Sequence, residues 1–596
     1  MKRIFFSFIV WFLLAVAACN DNRLDIAPLN ILTADQVLQN ESAITAYMAS
    51  LYNALPMEDH LFFAGGNGNR LANNTDEAIS CFTDERNGIG DGTWTSWWGY
   101  SHVRNVNDLI EKLPQASLNE ENKQRLLGEA YFIRAYYYFA MVKRYGGVPI
   151  IKNVQYFTGD NIAELQVPRN REAEVYDFIA SDLDSAALLL EENNLSGRAT
   201  RQASLALKSR AMLYAASSAQ YGNVQLDGII GIPASRADEY WEAAYQAAEA
   251  VITSETHALY NKAPDDKVRN FQDLFLDEEN NPEVILARHY SYPDKTHGYD
   301  NWVLPFGVRG PDGYSSRMCP TLELVEQFEY VDGSSGELKI EDADGNPIFY
   351  EHPTDLFKDK DPRCLATVIV PFSTFQGAVI DVQAGIYDQG KKFEAGDYSA
   401  LYNPETHQPD NENGTLHIVG LSGLGGSEKT QTGFYTRKYL DTSLPRSRAT
   451  YAGSEQQWID LRYGEVLLNY AEAAAELGRI EDAKWALNEI RARAGIKLLE
   501  SNQVNVEKVR HERLVELAFE NHRWWDYRRW RVSDNIFNNT RFSMLKPYYD
   551  LDQNAYRFER GVAGRFPKTF NVRVYYERID PGEISKNPNL VQNPNY

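Results

Sequence analysis

Gly128-Glu129-Ala130-Tyr131-Phe132-Ile133-Arg134-Ala135-Tyr136-Tyr137-Tyr138-Phe139 runs on to Arg144-Tyr145-Gly146-Gly147-Val148-Pro149, and this stretch decides the fold. Across residues 123–145, Leu126, Leu127, Ala130, Ile133, Arg134, Tyr137, Tyr138 and Met141 recur at three- and four-residue spacing. That spacing predicts a helix with one broad buried face. Gly146-Gly147 ends the helix, and Pro149 prevents its restart. A face of that width has to be covered by other helices.

Downstream, helical patterns follow at 171–191, 203–219 and 238–253, the last two dense in alanine. Small residues let helices approach closely, so the pattern predicts stacked helix pairs. Helices return at 458–477, 481–494 and 506–520, where Ala471, Gly478, Ala483 and Ala486 have the spacing of a tetratricopeptide hairpin. Each pair must bury its face on its neighbours, which makes a short solenoid. Upstream, Ala43, Ile44, Tyr47 and Leu51 open a first amphipathic helix, and Val103, Val106, Leu109 and Ile110 mark another that Pro114 closes. Residues 60–93, rich in Gly, Asn and Asp, predict a long loop.

From Phe271 to about Glu455 helical periodicity mostly stops. Val284–Leu286, Val368–Val370 and His417–Val419 predict short strands, one helix is expected over Thr321–Phe328, and 388–433 predicts loop. The tail from about 535 is rich in Tyr, Arg and Pro, with a strand-like piece at Phe570–Tyr576. The expected fold is mainly α: a tetratricopeptide-like helical-pair solenoid with a loop-rich, short-strand region packed on it.

The chain has 596 residues, 43% hydrophobic and 24% charged, which is the composition of a folded globular protein. Aromatics reach 12%, enough to furnish both a core and stacking surfaces. At the front, Lys2 and Arg3 precede an apolar run, Ile4–Val16, too short to span a bilayer as a mature helix. Val16-Ala17-Ala18-Cys19 then resembles a bacterial lipobox, which predicts acylation of Cys19. Net charge is −23. Phosphate backbones and anionic headgroups would repel such a chain, which excludes nucleic acid and requires any membrane link to come from the lipid. Apart from Cys19, only Cys81, Cys319 and Cys364 are present, so at most one internal disulfide is possible and a cysteine zinc site is a poor reading.

No motif carries catalysis. Gly420-Leu421-Ser422-Gly423-Leu424 has leucine where a nucleophile elbow needs its second glycine, and no His-Glu-x-x-His occurs. Gly425–Thr430 lacks the Gly-Lys step of a phosphate loop. Asp342-Ala343-Asp344-Gly345-Asn346 has calcium-like spacing, but Ile340 stands at the first ligand position, so a hairpin turn around Asp344-Gly345 is the better reading. No cofactor or metal is expected.

Six blocks carry a family resemblance: Gly128 to Pro149; Asn281-Pro282-Glu283-Val284-Ile285; Pro320-Thr321 through Asp332-Gly333; Arg462-Tyr463-Gly464-Glu465 to Ala473; Leu487-Asn488-Glu489-Ile490-Arg491 to Gly495; and Glu512-Arg513-Leu514-Val515-Glu516 to Asp526. With the blocks in this order, the chain resembles the SusD/RagB family of outer-membrane nutrient-binding lipoproteins of Bacteroidetes. The resemblance implies a signal peptide over 1–18, a lipid-anchored tether over 19–40, an N-terminal helical region over 41–270, and a C-terminal region over 271–596 with a loop-rich insert at about 290–455. Arg134, Arg462, Glu465, Glu472, Arg491, Glu516 and Arg523 recur on apolar helices, and a buried guanidinium needs a carboxylate, so these predict pairing inside the scaffold.

The resemblance also implies a non-enzymatic protein that captures oligosaccharide or polysaccharide and delivers it to a SusC-like TonB-dependent transporter. A sugar ring offers an apolar face to an aromatic side chain and hydroxyls to polar groups. Two loops supply such groups. The first holds Trp94, Trp97 and Trp98; the second, Tyr290–Tyr314, holds Tyr290, Tyr292, Tyr299, Trp302, Arg309 and Tyr314. Trp97 also precedes Tyr100 and Val103 at threes, as an anchor of the following helix would. The alternatives are a RagB-like peptide carrier, a surface glycoside hydrolase and a purely structural adhesin.

Overall fold

The computed structural model describes residues 41–61, 71–81, 95–394 and 400–596, and the backbone of 88–89. The expected signal peptide and tether, with Cys19, and Trp94 lie outside the described residues.

Ten of the helices form one layered stack. They are α1 (Glu41–Asn53), α2 (Tyr100–Lys112), α3 (Glu120–Tyr145), α4 (Glu172–Leu189), α5 (Arg201–Tyr221), α6 (Ala237–Thr253), α7 (Tyr463–Glu476), α8 (Ile480–Ala494), α9 (Val506–Leu517) and α10 (His522–Arg529). Asn119 caps α3 by accepting from the Asn122 N–H at 2.8 Å. Glu120 and Glu121 in the first turn of α3, and Lys143 and Arg144 in its last, complement the helix dipole. Gly146 stops α3 at φ 74°, and a Cβ on Gly147 would fall 1.9 Å from the Asn170 carbonyl. Alanine- and serine-rich α5 is buried around nearly its whole circumference, which only small side chains permit.

Packing runs α2 on α3, α3 on α4, α4 on α5, α5 on α6, α6 on α7, then α7 on α8 and α9. The step from α6 to α7 skips residues 254–462. The chain leaves the stack there, builds the loop-rich region, and returns to continue the same solenoid. Its two ends are fastened together as antiparallel strands, β1 (Val284–Arg288) against β4 (Trp458–Arg462). Sequence periodicity places 458–462 at the start of the helix; as a strand it forms the base of the excursion instead. A second apolar core, centred on Phe271, Trp302, Val325, Phe328, Tyr435 and Trp458, holds the excursion together.

The expected mainly helical fold with short strands is present, with local differences. The span 388–433 is not all loop: β2 (Gly385–Asp388) and β3 (Lys391–Glu394) form a hairpin. The tail holds the longest strands among the described residues, β5 (Ser543–Asp550) and β6 (Ala555–Val562), which complete a sheet of order β6-β5-β2-β3 with β5 and β2 parallel. Pro547 inside β5 hides this hairpin from sequence reading, because proline cannot donate to the ladder. The Pro547 carbonyl still accepts from the Ala384 N–H. Of Phe570–Tyr576, only Phe570 belongs to a strand, the two-residue Thr569–Phe570; Val572–Tyr575 is a 3-10 turn. The hairpin turn at Asp344-Gly345 forms, with Glu341 bridged to Pro347 and Gly345 at φ 80°. Cys81, Cys319 and Cys364 are buried free thiols.

The scaffold arginines and glutamates pair as the sequence predicts. Arg134 forks onto Asp182, Arg210 onto Glu465, Arg529 onto Glu472, and Arg523 onto Asp76. The densest group joins four parts of the chain. Arg462, at the end of β4, bonds Glu283 at 2.6 Å before β1, and Glu516 at 2.8 Å and Glu520 at 2.6 Å on and after α9. Glu516 also takes Arg363 at 3.0 Å from the excursion and Arg493 from α8. Arg363 reaches Glu512 at 2.7 Å, which Arg491 shares at 2.8 Å. Burial alone would raise these carboxyls, but the guanidinium groups of Arg363 and Arg491 hold Glu512 down at about 2, and those of Arg493, Arg462 and Arg363 hold Glu516 well below its usual value.

Glu516→Gln leaves three buried guanidinium groups short of charge and is expected to lower the free energy of unfolding by about 3–5 kcal/mol in urea denaturation. The pH dependence follows from depressed folded-state pKa values. The stabilisation is complete above the unfolded glutamate value of about 4.3 and drains as pH falls towards about 2. Far-UV circular dichroism should show that acid limb, and Glu512→Gln should flatten it; an identical limb in the variant would exclude this group as its source.

Candidate functional site

The loop after β1 is built as a rigid platform. The backbones of His297 and Ser454 exchange hydrogen bonds at 3.0 and 2.9 Å, locking residues 290–303 to the turn before β4. The N–H groups of Ser316 and Arg317 donate to the Leu304 and Trp302 carbonyls, closing the loop on itself. Tyr299 is buried and donates to the Lys438 carbonyl at 2.9 Å.

On this platform three rings meet. Trp302 lies 4.6 Å from Tyr314 and 5.0 Å from Tyr451, and Tyr314 and Tyr451 are 5.4 Å apart, measured between centroids. Arg317 stacks over both Trp302 (4.8 Å) and Tyr314 (5.3 Å) and is itself held by Glu428 at 3.4 Å. Trp302 is therefore 3% exposed, whereas Tyr451 is 49% exposed. Trp302 is the floor and Tyr451 the surface. The Tyr451 N–H donates to Asp312, and its hydroxyl, hydrogen-bonded with Tyr314, is pushed up to about 12 and stays protonated.

Tyr292, also 49% exposed, stands on the other flank of the 446–455 turn. Arg448 lies 4.1 Å over its ring and bonds Glu455 at 2.9 Å, which also accepts from the Tyr292 N–H. Beyond Tyr314, exposed Arg309 lies 4.2 Å over the Phe306 ring, with Lys429 5.2 Å from the same ring. Tyr290 faces inward: it is 5% exposed and donates to Asp59 at 2.8 Å. The structure thus brings Tyr292, Trp302, Arg309 and Tyr314 into one loop cluster and places Tyr290 beneath it.

Trp97 and Trp98 pack against the helices. Trp97 stacks on His102 at 5.9 Å and lies 5.5 Å from Tyr137, while its backbone N–H donates to the Tyr145 hydroxyl. Trp98 lies between Tyr100 (5.1 Å) and Tyr145 (5.2 Å). A Cβ on Gly99 would meet the Trp97 ring at 2.0 Å, so glycine is required where the chain turns into α2. Both tryptophans are half-buried, and their ring partners come from α2 and α3 and not from the 290–317 loop.

Sequence reading missed Tyr451, Arg448, Phe306 and Lys429. The available signal was Thr450-Tyr451-Ala452-Gly453-Ser454, a lone aromatic in a small-residue turn just before a strand. Chemically the cluster can cover an apolar ring face and bond hydroxyls around it. Among the described residues no group of three or more His, Cys, Asp or Glu is arranged to hold a metal ion, and no helix is long and apolar enough to cross a membrane.

Comparison with known proteins agrees with this fold. The SusD family matches residues 282–596, and a second family, described as starch-binding associating with outer membrane, matches residues 24–213. A SusD-like protein of Formosa agariphila is 22% identical over the full length of both chains. Another, from Bacteroides ovatus, is 27% identical over 54% of this chain and 56% of its own. A SusD-like carbohydrate-binding protein of Bacteroides fragilis has a similar structure, with TM-score 0.66 at 22% identity, covering 93% of this chain and all of that one. The surface glycan-binding protein A of Bacteroides uniformis gives TM-score 0.57 at 17% identity over 93% of this chain and 99% of its own. With more than half its residues matched, this chain belongs to the SusD family, whose members act at the outer membrane.

Proposed function

We propose that the protein captures oligosaccharide on the Tyr451–Tyr292 face and passes it, unreacted, to a SusC-like TonB-dependent transporter. The observation that supports this most is half-exposed Tyr451 carried on buried Trp302 and half-buried Tyr314, with half-exposed Tyr292 backed by Arg448 on the other flank of the turn. Rings so supported cannot collapse onto the core, so their exposure persists and costs little ordering on binding. Asp312, Arg309 and the backbone of the 446–455 turn stand beside them to take hydroxyls. Trp97 and Trp98 pack at the entry into α2, with ring partners from α2 and α3.

Capture and handover require modest affinity, which a few ring contacts supply. Each stacking contact contributes about 0.5–1.5 kcal/mol, so Tyr451→Ala is expected to weaken binding roughly three- to tenfold in calorimetry against a polysaccharide panel. Trp302→Ala should weaken it further by removing the floor. Release of reducing ends from the bound glycan would overturn the non-catalytic reading, and unchanged affinity in Tyr451→Ala would move the site. Acylation of Cys19 would hold the protein at the membrane. Cys19→Ala is then expected to shift it to the soluble fraction on cell fractionation, and retention in the membrane would contradict the anchor.

A further inference from the structure

We infer that the captured glycan is acidic, carrying carboxylate or sulfate groups that seat against Arg309 and Lys429. This rests on the glycan-binding reading above and adds the chemical class of the ligand.

The argument begins with where the cations are. Besides Lys295 over the inward-facing Tyr290, four cations lie on aromatic rings around the Trp302–Tyr451 cluster: Arg317 on Trp302 and Tyr314, Arg448 on Tyr292, and Arg309 and Lys429 both on Phe306. Two are neutralised, Arg317 by Glu428 and Arg448 by Glu455. The other two are not. Among the described residues Arg309 has one long hydrogen bond, 3.4 Å to the Gly313 carbonyl, and neither Arg309 nor Lys429 forms an ion pair. Asp312, exposed in the same loop, receives the Tyr451 N–H and pairs with no cation among the described residues. The loops 290–317, 424–431 and 441–455 together carry as many Lys and Arg as Asp and Glu, in a chain whose net charge is −23. A site neutral overall, with two cations left over on one ring, departs from the rest of the surface.

Position gives these charges their meaning. Lys429 lies along the backbone of Gly423, where a Cβ would meet its Cδ at 2.5 Å, so the stem is held in place and the ammonium is brought to Phe306. Its neighbour Glu428 is occupied by the Ser315 N–H and by Arg317, and is not free to cancel it. Arg309 reaches the same ring from the loop that carries Tyr314. A glycan lying on Tyr451 and Tyr314 would run towards this pair, where a planar guanidinium matches a carboxylate or sulfate. At physiological salt the Debye length is about 8 Å, so the distant negative charge of the protein is largely screened, whereas contacts with this local pair fall within that length and are screened less.

The test uses the detergent-purified full chain and three probes of similar length: oligogalacturonate, a sulfated galactan oligomer, and neutral galactan. Acidic oligomers are expected to bind about tenfold more tightly than the neutral one at physiological salt, the advantage shrinking towards about 1 M salt, where the Debye length falls to about 3 Å. In the double variant Arg309→Gln/Lys429→Gln the ratio of acidic to neutral affinity should fall about tenfold, with Gln retaining hydrogen-bonding capacity. Equal affinity for acidic and neutral oligomers in the wild type, with Tyr451→Ala still weakening both, would overturn this inference and leave the site standing. If Tyr451→Ala and the double variant both leave all three affinities unchanged, the site itself falls and this inference with it.

Discussion

Everything in this protein hangs on a carboxylate that cannot be exposed. Glu516 has no contact with solvent, and its charge is tolerated only because Arg363, Arg462 and Arg493 converge on it from the excursion, the base ribbon and the neighbouring helix. Each arginine is in turn satisfied by further acids, Glu283, Glu512, Glu520 and Asp361. A hydrophobic replacement of the whole group could be as stable. What charge adds is selectivity of assembly: a misplaced strand or a shifted helix would leave an ion unpaired in a dry interior, so only one arrangement of the four parts is acceptable.

The same constraint divides what was legible in the sequence from what was not. The helical stack announces itself through apolar spacing, glycine stops and alanine density, as in Leu126–Met141 and Ala203–Ala219. The ionic core was also readable, because arginine and glutamate at apolar helical positions are tolerated only as each other's partners. What could not be read was long-range pairing. Residues 458–462 look helical because Trp458, Ile459 and Leu461 continue the periodicity of α7; their strand conformation is imposed by Val284–Arg288, far away in sequence. The β5–β6 hairpin was obscured by Pro547, which is tolerated because the neighbouring residues carry the ladder.

The candidate site shows the same division. That Trp302, Tyr314, Tyr292 and Arg309 share one loop region was readable, because aromatics concentrated in a loop ask for a reason. Which ring faces outward was not readable, since it depends on Arg317 crossing over Trp302 and on a turn more than a hundred residues later delivering Tyr451. Trp97 follows the opposite logic: its spacing to Tyr100 and Val103 suggested an anchor, and its stacking on His102 against Tyr137 is the packing an anchor makes.

The β1–β4 ribbon has a consequence for how such chains diversify. Because the excursion leaves and re-enters the solenoid through two paired strands, its ends stay about 5 Å apart whatever lies between them. Lengthening a loop inside it costs only the slowly growing entropy of closure, about 0.6 kcal/mol per doubling. Helix register on either side is untouched. The ribbon works as a graft union, below which the stock is constant and above which recognition surfaces are exchangeable, so new specificities can arise by insertion and deletion without re-solving the folding problem.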